Sequence, residues 1–157
     1  MAQTRVTLER VDDATLFVAR NAQGLEVHVD DATTRPDGIG LGAGPMQLLL
    51  MGLAGCAAVD VVDILRKGRF ALTSFRVDVT GDRPDGVRPA PFRSIHLDFA
   101  LEGDLTPDRV ERAIRLSLEK YCSAAATLRH AARITVGYSV NGQSFASDLL
   151  LGPDEPR

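Results

Sequence analysis

Hydrophobic residues along this chain switch between a period of two and a period near 3.6, and the switching outlines the elements. Residues 5–10, 14–20 and 25–30 are short β-leaning stretches separated by Asp12-Asp13 and by Asn21-Ala22-Gln23-Gly24, which predicts a small antiparallel meander. Residues 31–44 are rich in Gly, Asp, Thr and Pro and read as an exposed loop. The longest apolar stretch then runs from Met46 to Leu65. Gly44-Pro45 suits a helix start, and Gly68 after Arg66-Lys67 suits a stop, because the basic pair complements the carbonyl end of the helix dipole. A helix of about twenty residues is roughly 30 Å long, which is also bilayer length. Gln47, Asp60 and Asp63 inside the stretch argue against a membrane span on charge cost. Its centre of Gly52, Ala54, Gly55, Ala57 and Ala58 predicts a long central helix packed on most sides.

Residues 72–82 and 92–102 return to period two. Phe75, Val77 and Val79 alternate with Arg76, Asp78 and Thr80, while Ile95, Leu97 and Phe99 alternate with His96, Asp98 and Ala100. Each has the pattern of a half-buried strand, and Arg83-Pro84-Asp85-Gly86 between them is a turn. Thr106-Pro107-Asp108 opens a second helix with a threonine N-cap and an acid in the first turn. Val110, Ala113, Ile114, Leu116 and Leu118 supply its apolar positions, and Arg109, Glu111, Arg112 and Arg115 face outward. Cys122 falls just past the end of that helix or at the start of a third, from Ser123 to about Ala132. Ile134 to Val140 reads as a final strand, Asn141-Gly142 as a turn, and residues 148–157 as a loose tail. Strands, helix, strands, helix, helix and strand in that order predict an α+β fold with antiparallel sheets.

Composition narrows the function. A chain of 157 residues has room for a single domain, here 1–157 with its core in about 5–140. The hydrophobic share of 45% and charged share of 25% are those of a globular protein, and with 5% aromatics the core must come from Val, Leu, Ile and Ala. A net charge of −3 with no basic run longer than two residues gives no nucleic-acid footprint. No apolar block with a small-residue cleavage site follows Met1, so the cytoplasm is the expected compartment. In that reducing setting two cysteines seldom make a structural bridge.

The two cysteines, Cys56 and Cys122, stand 66 residues apart and form no Cys-x-x-Cys motif. No histidine sits at metal-ligand spacing, so neither a metal nor a cofactor is expected. His28 and His96 lie at outward strand positions and His130 near a helix end. Ser74, Ser117 and Ser123 lack the setting of a nucleophile elbow. Buried cysteines often behave as small hydrophobes, which is the plain reading of Cys56 on its apolar helix. If Ser123 opens a helix, Cys122 sits at a positive dipole end that stabilises a thiolate.

Two stretches carry a resemblance. Gly44-Pro45-Met46-Gln47-Leu48-Leu49-Leu50 with Gly55-Cys56-Ala57-Ala58-Val59-Asp60-Val61-Val62 resembles the first-cysteine signature of the OsmC/Ohr family, the osmotically induced and organic-hydroperoxide-resistance proteins. Glu119-Lys120-Tyr121-Cys122-Ser123 is similar to its second signature. The likeness covers roughly residues 5–140. It implies an OsmC-like fold in an intertwined homodimer, with two active sites at the subunit interface. It also implies a thiol peroxidase for organic hydroperoxides in which Cys56 is peroxidatic and Cys122 resolves the sulfenic acid as a disulfide. That chemistry is sound, because a thiolate attacks and a sulfenic acid condenses with a nearby thiol. A lipoyl-type dithiol is the implied reductant.

The chain also departs from that pattern. The resemblance implies a glutamate ahead of the first cysteine, paired with an arginine from the N-terminal strand region. Gln47 occupies the candidate position, nine residues before Cys56, and Arg20 and Arg35 are the arginines near the first sheet. Asp60 and Asp63 share one helical face with Cys56, and a nearby carboxylate opposes thiolate formation. Asp63 has an alternative partner in Lys67 at i+4. Asp60 followed by two valines resembles a less studied branch of the family. A second reading therefore stands beside the peroxidase: a small-molecule binding module or slow redox switch on the same scaffold.

Overall fold

The structure, a computed structural model, describes residues 3–153, and the chain divides into two compact units on either side of the Leu49–Leu50 bond. In the first unit β1 (Val6–Arg10), β2 (Phe17–Asn21) and β3 (Glu26–Val29) form the expected antiparallel meander in the order β1-β2-β3. Asp12 shapes the first turn by accepting from the backbone N–H groups of Ala14 and Leu16, both at 3.0 Å. The turn therefore extends further than the sequence pattern implied, and β2 begins at Phe17.

The 31–44 loop is organised by a buried charge. The Asp30 side chain is fully buried and accepts from Arg35 Nε, from Thr15 Oγ1 at 3.0 Å, and from the backbone N–H groups of Asp31 and Leu41, both at 2.9 Å. Arg35 reaches on to Asp12 at 2.6 Å. Burying a carboxylate is costly unless it is paired and hydrogen-bonded, and here both conditions are met. Gly42 closes the loop against β3. A Cβ there would lie 2.6 Å from the His28 carbonyl, so only glycine lets Ala43 pair with His28 and Asp30.

Helix α1 (Pro45–Lys67) crosses the division between the units and matches the expected start and stop. Asp63 pairs with Lys67 at 2.5 Å and Arg66 at 3.0 Å. Its burial differs from expectation. Leu53, Ala57, Val61 and Leu65 form a buried i, i+4 stripe, while Met51, Val59 and Val62 are exposed and a Cβ on Gly52 or Gly55 would meet nothing. By length and composition α1 could cross a membrane. Its buried stripe and its polar contact through Asp60, described below, are those of a packed helix.

The second unit holds a four-stranded sheet, β4 (Ala71–Asp82), β5 (Ser94–Asp104), β6 (Arg133–Val140) and β7 (Gln143–Leu151), in chain order. Ile95, Leu97, Phe99 and Leu101 face Ile134, Val136, Tyr138 and Val140 across the ladder, and all eight are buried. At roughly 1.5–3 kcal/mol for each large apolar side chain, this layer is a substantial part of the unit's stability. The outer face carries Arg76, Asp78, His96 and Asp98.

Three features correct the expectation from sequence. The β5–β6 pair is parallel, because the chain between them crosses over through helices and returns in the same direction. The segment from Asp148 is no loose tail, at least through Leu151. Asn141 and Gly142 both take positive φ (50° and 82°), as a two-residue hairpin demands, and send the chain back as β7. Asp148 there pairs with Arg115; residues 154–157 of the expected tail lie outside the described part. The third helix, α3 (Ser123–Leu128), stops short of Ala132 because the chain turns at Arg129 to enter β6.

Stability should fall in acid through Asp30. Its pKa is held at about 2, against an ordinary 3.8, first by the Arg35 hydrogen bond and then by its other donors. A depressed carboxylate stabilises the fold above its ordinary pKa and loses that contribution as pH falls through the folded value. Melting temperatures measured from about pH 5 down to about pH 2 should drop over the lower part of the range. Asp30→Asn should flatten part of that drop, and an unchanged slope in the variant contradicts the assignment.

Candidate functional site

Helix α1 presents Cys56 and Asp60 four residues apart, one turn along the same face, beside the buried Ala57. The opposing wall is made by α2 (Pro107–Leu116) and the segment after it. Pro107 opens α2, as expected, and Thr106 takes the N-cap backbone conformation without a side-chain cap bond. Val110, Ala113 and Ile114 anchor the helix in the core. At Ser117 it widens into a π-helical turn, Ser117–Tyr121, in which the Cys122 N–H donates to the Ser117 carbonyl at 2.7 Å. Such local widening is frequent at functional sites, and here it sets the spacing between Ser117 and Cys122.

Ser117 is the contact that joins the two walls. Its side chain is fully buried, and its hydroxyl hydrogen is shared between Asp60 Oδ2 at 3.1 Å and the Ala57 carbonyl at 3.4 Å. Cys122 follows at the N-cap of α3, 2% exposed, with its Sγ accepting from the Ala125 N–H at 3.4 Å. Cys56 is half-buried. The Sγ atoms of Cys56 and Cys122 and a carboxyl oxygen of Asp60 all lie within 4.8 Å of one another.

The electrostatics of Cys122 reverse the sequence expectation. The N-cap position is as anticipated, but the thiol is pushed up to about 12 rather than down. Burial of the sulfur is the largest cause, and its hydrogen bond to Cys56 adds to it. The backbone N–H groups of Ala125 and Ala124 pull the other way and are outweighed. Cys122 therefore holds its proton at neutral pH, and a thiol beside the Cys56 sulfur can donate to it.

The remaining sequence candidates are engaged elsewhere. Arg20 is bound by Glu9 at 2.5 Å and Glu26 at 2.8 Å, and Arg35 by Asp12 and Asp30, all within the first unit. Arg35 is mostly buried. Gln47 is exposed, and its Oε1 accepts from the Gly44 N–H at 2.8 Å, where it caps the start of α1. The site residue that sequence reasoning missed is Ser117. Its signal was a polar residue on the apolar stripe of Val110, Ala113 and Ile114, three positions beyond Ile114.

The geometry is that of two cysteines 66 residues apart in sequence brought together by α1 and the α2–α3 junction, and it coincides with a family match. The model of OsmC-like proteins matches residues 36–137, spanning both cysteines. The chain belongs to the OsmC family. Among its relatives, Protein YhfA of Escherichia coli strain K12 is 44% identical over 97 residues, which is 61% of this chain and 72% of that protein. Among solved OsmC-fold structures, a hypothetical protein from Aquifex aeolicus VF5 superposes with a TM-score of 0.79 at 26% identity, covering 90% of this chain and 98% of its own. An organic hydroperoxide resistance protein OsmC from Legionella pneumophila superposes at 0.64 with 14% identity, covering 89% and 98%. At that identity the likeness is one of fold. The OsmC-like fold, a mixed α+β arrangement of two sheets and a long central helix, is thus established for this chain.

Proposed function

We propose that the chain works as one OsmC-like domain and is a thiol-dependent peroxidase for organic hydroperoxides. The observation that carries this reading is the meeting of the Cys56 and Cys122 sulfurs within 4.8 Å, one half-buried and one buried. Exposure divides the roles. Cys56 is the sulfur a peroxide can reach, and Cys122 is the proton-holding thiol behind it. The Cys56 thiolate attacks the distal peroxide oxygen, and the O–O bond breaks. The leaving alkoxide takes up a proton and departs as the alcohol, with Cys56 left as a sulfenic acid. The Cys122 sulfur then attacks the Cys56 sulfur, its proton leaves with the hydroxyl as water, and a disulfide forms. A dithiol, lipoyl-type by family resemblance, returns two electrons. Asp60, oriented by Ser117, lies within 4.8 Å of the Cys56 sulfur and is the nearest carboxyl group to the reacting thiol.

A homodimer fits the exposed side of α1, opposite the buried stripe. Val59 is 70% exposed there, Ala58, Val59 and Val62 line an apolar groove, and Gly52 and Gly55 leave room for close approach of other backbone. Only the family resemblance supplies the intertwined form, and the cytoplasm remains the proposed compartment. A redox switch or small-molecule binding module is the second reading, favoured by Gln47 in place of a glutamate and by Asp60 beside the thiols.

Turnover of an organic hydroperoxide with a dithiol should be abolished in Cys56→Ser. Cys122→Ser should still form one sulfenic acid, trapped by a diketone reagent, but lose sustained turnover. Full activity of Cys56→Ser rules the peroxidase out, and sluggish wild-type turnover selects the switch. Sedimentation at micromolar concentration should give a dimer that Val59→Glu weakens; a wild-type monomer contradicts the dimer.

A further inference from the structure

We propose that, beyond the peroxidase reading, Cys56, Asp60 and Cys122 form a three-ligand site for a divalent zinc-type ion in the reduced protein. Several independent features converge on it. The donors are two sulfurs and one carboxyl oxygen, a set suited to zinc and similar borderline ions and poorly suited to calcium or magnesium. Two of them come from one helix at i and i+4, a spacing that aims both at a common point, and the third comes from a separate element across from it.

The distances fit. All three donor atoms lie within 4.8 Å of one another. Tetrahedral zinc with S and O ligands needs donor separations of roughly 3.5–3.8 Å. Closing on an ion asks each donor separation to shrink by at most about 1.3 Å.

The surroundings are those of a ligand set. Ser117, fully buried, hydrogen-bonds Asp60 at 3.1 Å and so fixes the carboxyl orientation, the job that outer-shell partners do around metal ligands. Binding an ion displaces the thiol protons, and the thiolates and carboxylate so formed are then held by the ion's own charge. Three protein ligands leave a fourth position open for water or an exogenous group. Because a disulfide consumes two of the three donors, metal binding and oxidation exclude one another, so the ion would hold the thiols in a reserved, reduced state.

Cobalt(II), a spectroscopic stand-in for zinc, tests this on reduced, metal-free full-length protein under anaerobic conditions. One cobalt per chain should bind with a sulfur-to-cobalt charge-transfer band in the near ultraviolet and tetrahedral bands in the visible, and zinc should displace it. Cys56→Ala, which only shortens a side chain on an alanine-rich helix, should remove most of the charge-transfer intensity, as should Cys122→Ser. Asp60→Asn and Ser117→Ala should each weaken binding by about 10-fold or more. Circular dichroism checks that each variant is folded. The absence of any charge-transfer band in the wild type overturns the site, as does a band of full intensity in Cys56→Ala. Neither readout involves peroxide, so this site and the peroxidase can fail separately.

Discussion

Everything proposed for this protein hangs on how α1 meets the junction between α2 and α3. A buried serine hydroxyl bridges the Ala57 carbonyl and the Asp60 carboxyl, 3.4 and 3.1 Å away. The cost of leaving such a group unpaired is about 1–3 kcal/mol, so the contact holds the two walls in one register. The π-helical turn that begins at Ser117 then delivers Cys122 opposite Cys56. Without the extra residue of that turn, the second cysteine would point elsewhere on a regular helix. Helix α2, which leads into that turn, packs against β6 and β7 of the four-stranded sheet.

Much of the fold was legible because its signals are local. Pro45 and Gly68 bracket α1, period-two alternation marks β4 and β5, and Thr106-Pro107 opens α2. What escaped depends on contacts distant in sequence. The parallel pairing of β5 with β6 follows from the crossover, which no local pattern encodes. Strand β7 was hidden because Ser147 interrupts its inward row of Phe145, Leu149 and Leu151, while Leu150 puts an apolar residue on the exposed side, so the period-two signal is blurred. The exposed side of α1 reads as buried in sequence, since apolar residues at helical spacing look the same whether or not the rest of the chain covers them.

The candidate site shows the same division. Each cysteine was identifiable from its surrounding residues, but their approach to within 4.8 Å could come only from the fold. Position alone suggested a thiolate at Cys122, whereas burial and the neighbouring sulfur push it up to about 12. Two backbone N–H groups cannot offset the loss of solvent around a fully buried sulfur. Arg20 and Arg35 were plausible partners by position and turn out to belong to carboxylates of their own unit. Gln47 closes the first turn of α1. The polar equipment nearest the thiols is therefore Asp60 and Ser117, which sets this chain apart from the glutamate and arginine implied by the wider family.

That difference bears on chemistry as well as ancestry. A carboxyl group near two thiols can shuttle a proton or share a metal ion, and both uses draw on the same three atoms. The central claim, that Cys56 and Cys122 form a working redox pair, does not depend on which prevails. Intact-mass spectrometry of the reduced protein, before and after one equivalent of an organic hydroperoxide, tests it most directly. The account predicts rapid loss of about two mass units with both thiols consumed within one chain. Two thiols that remain free, or a slow gain of oxygen at one of them, would contradict it.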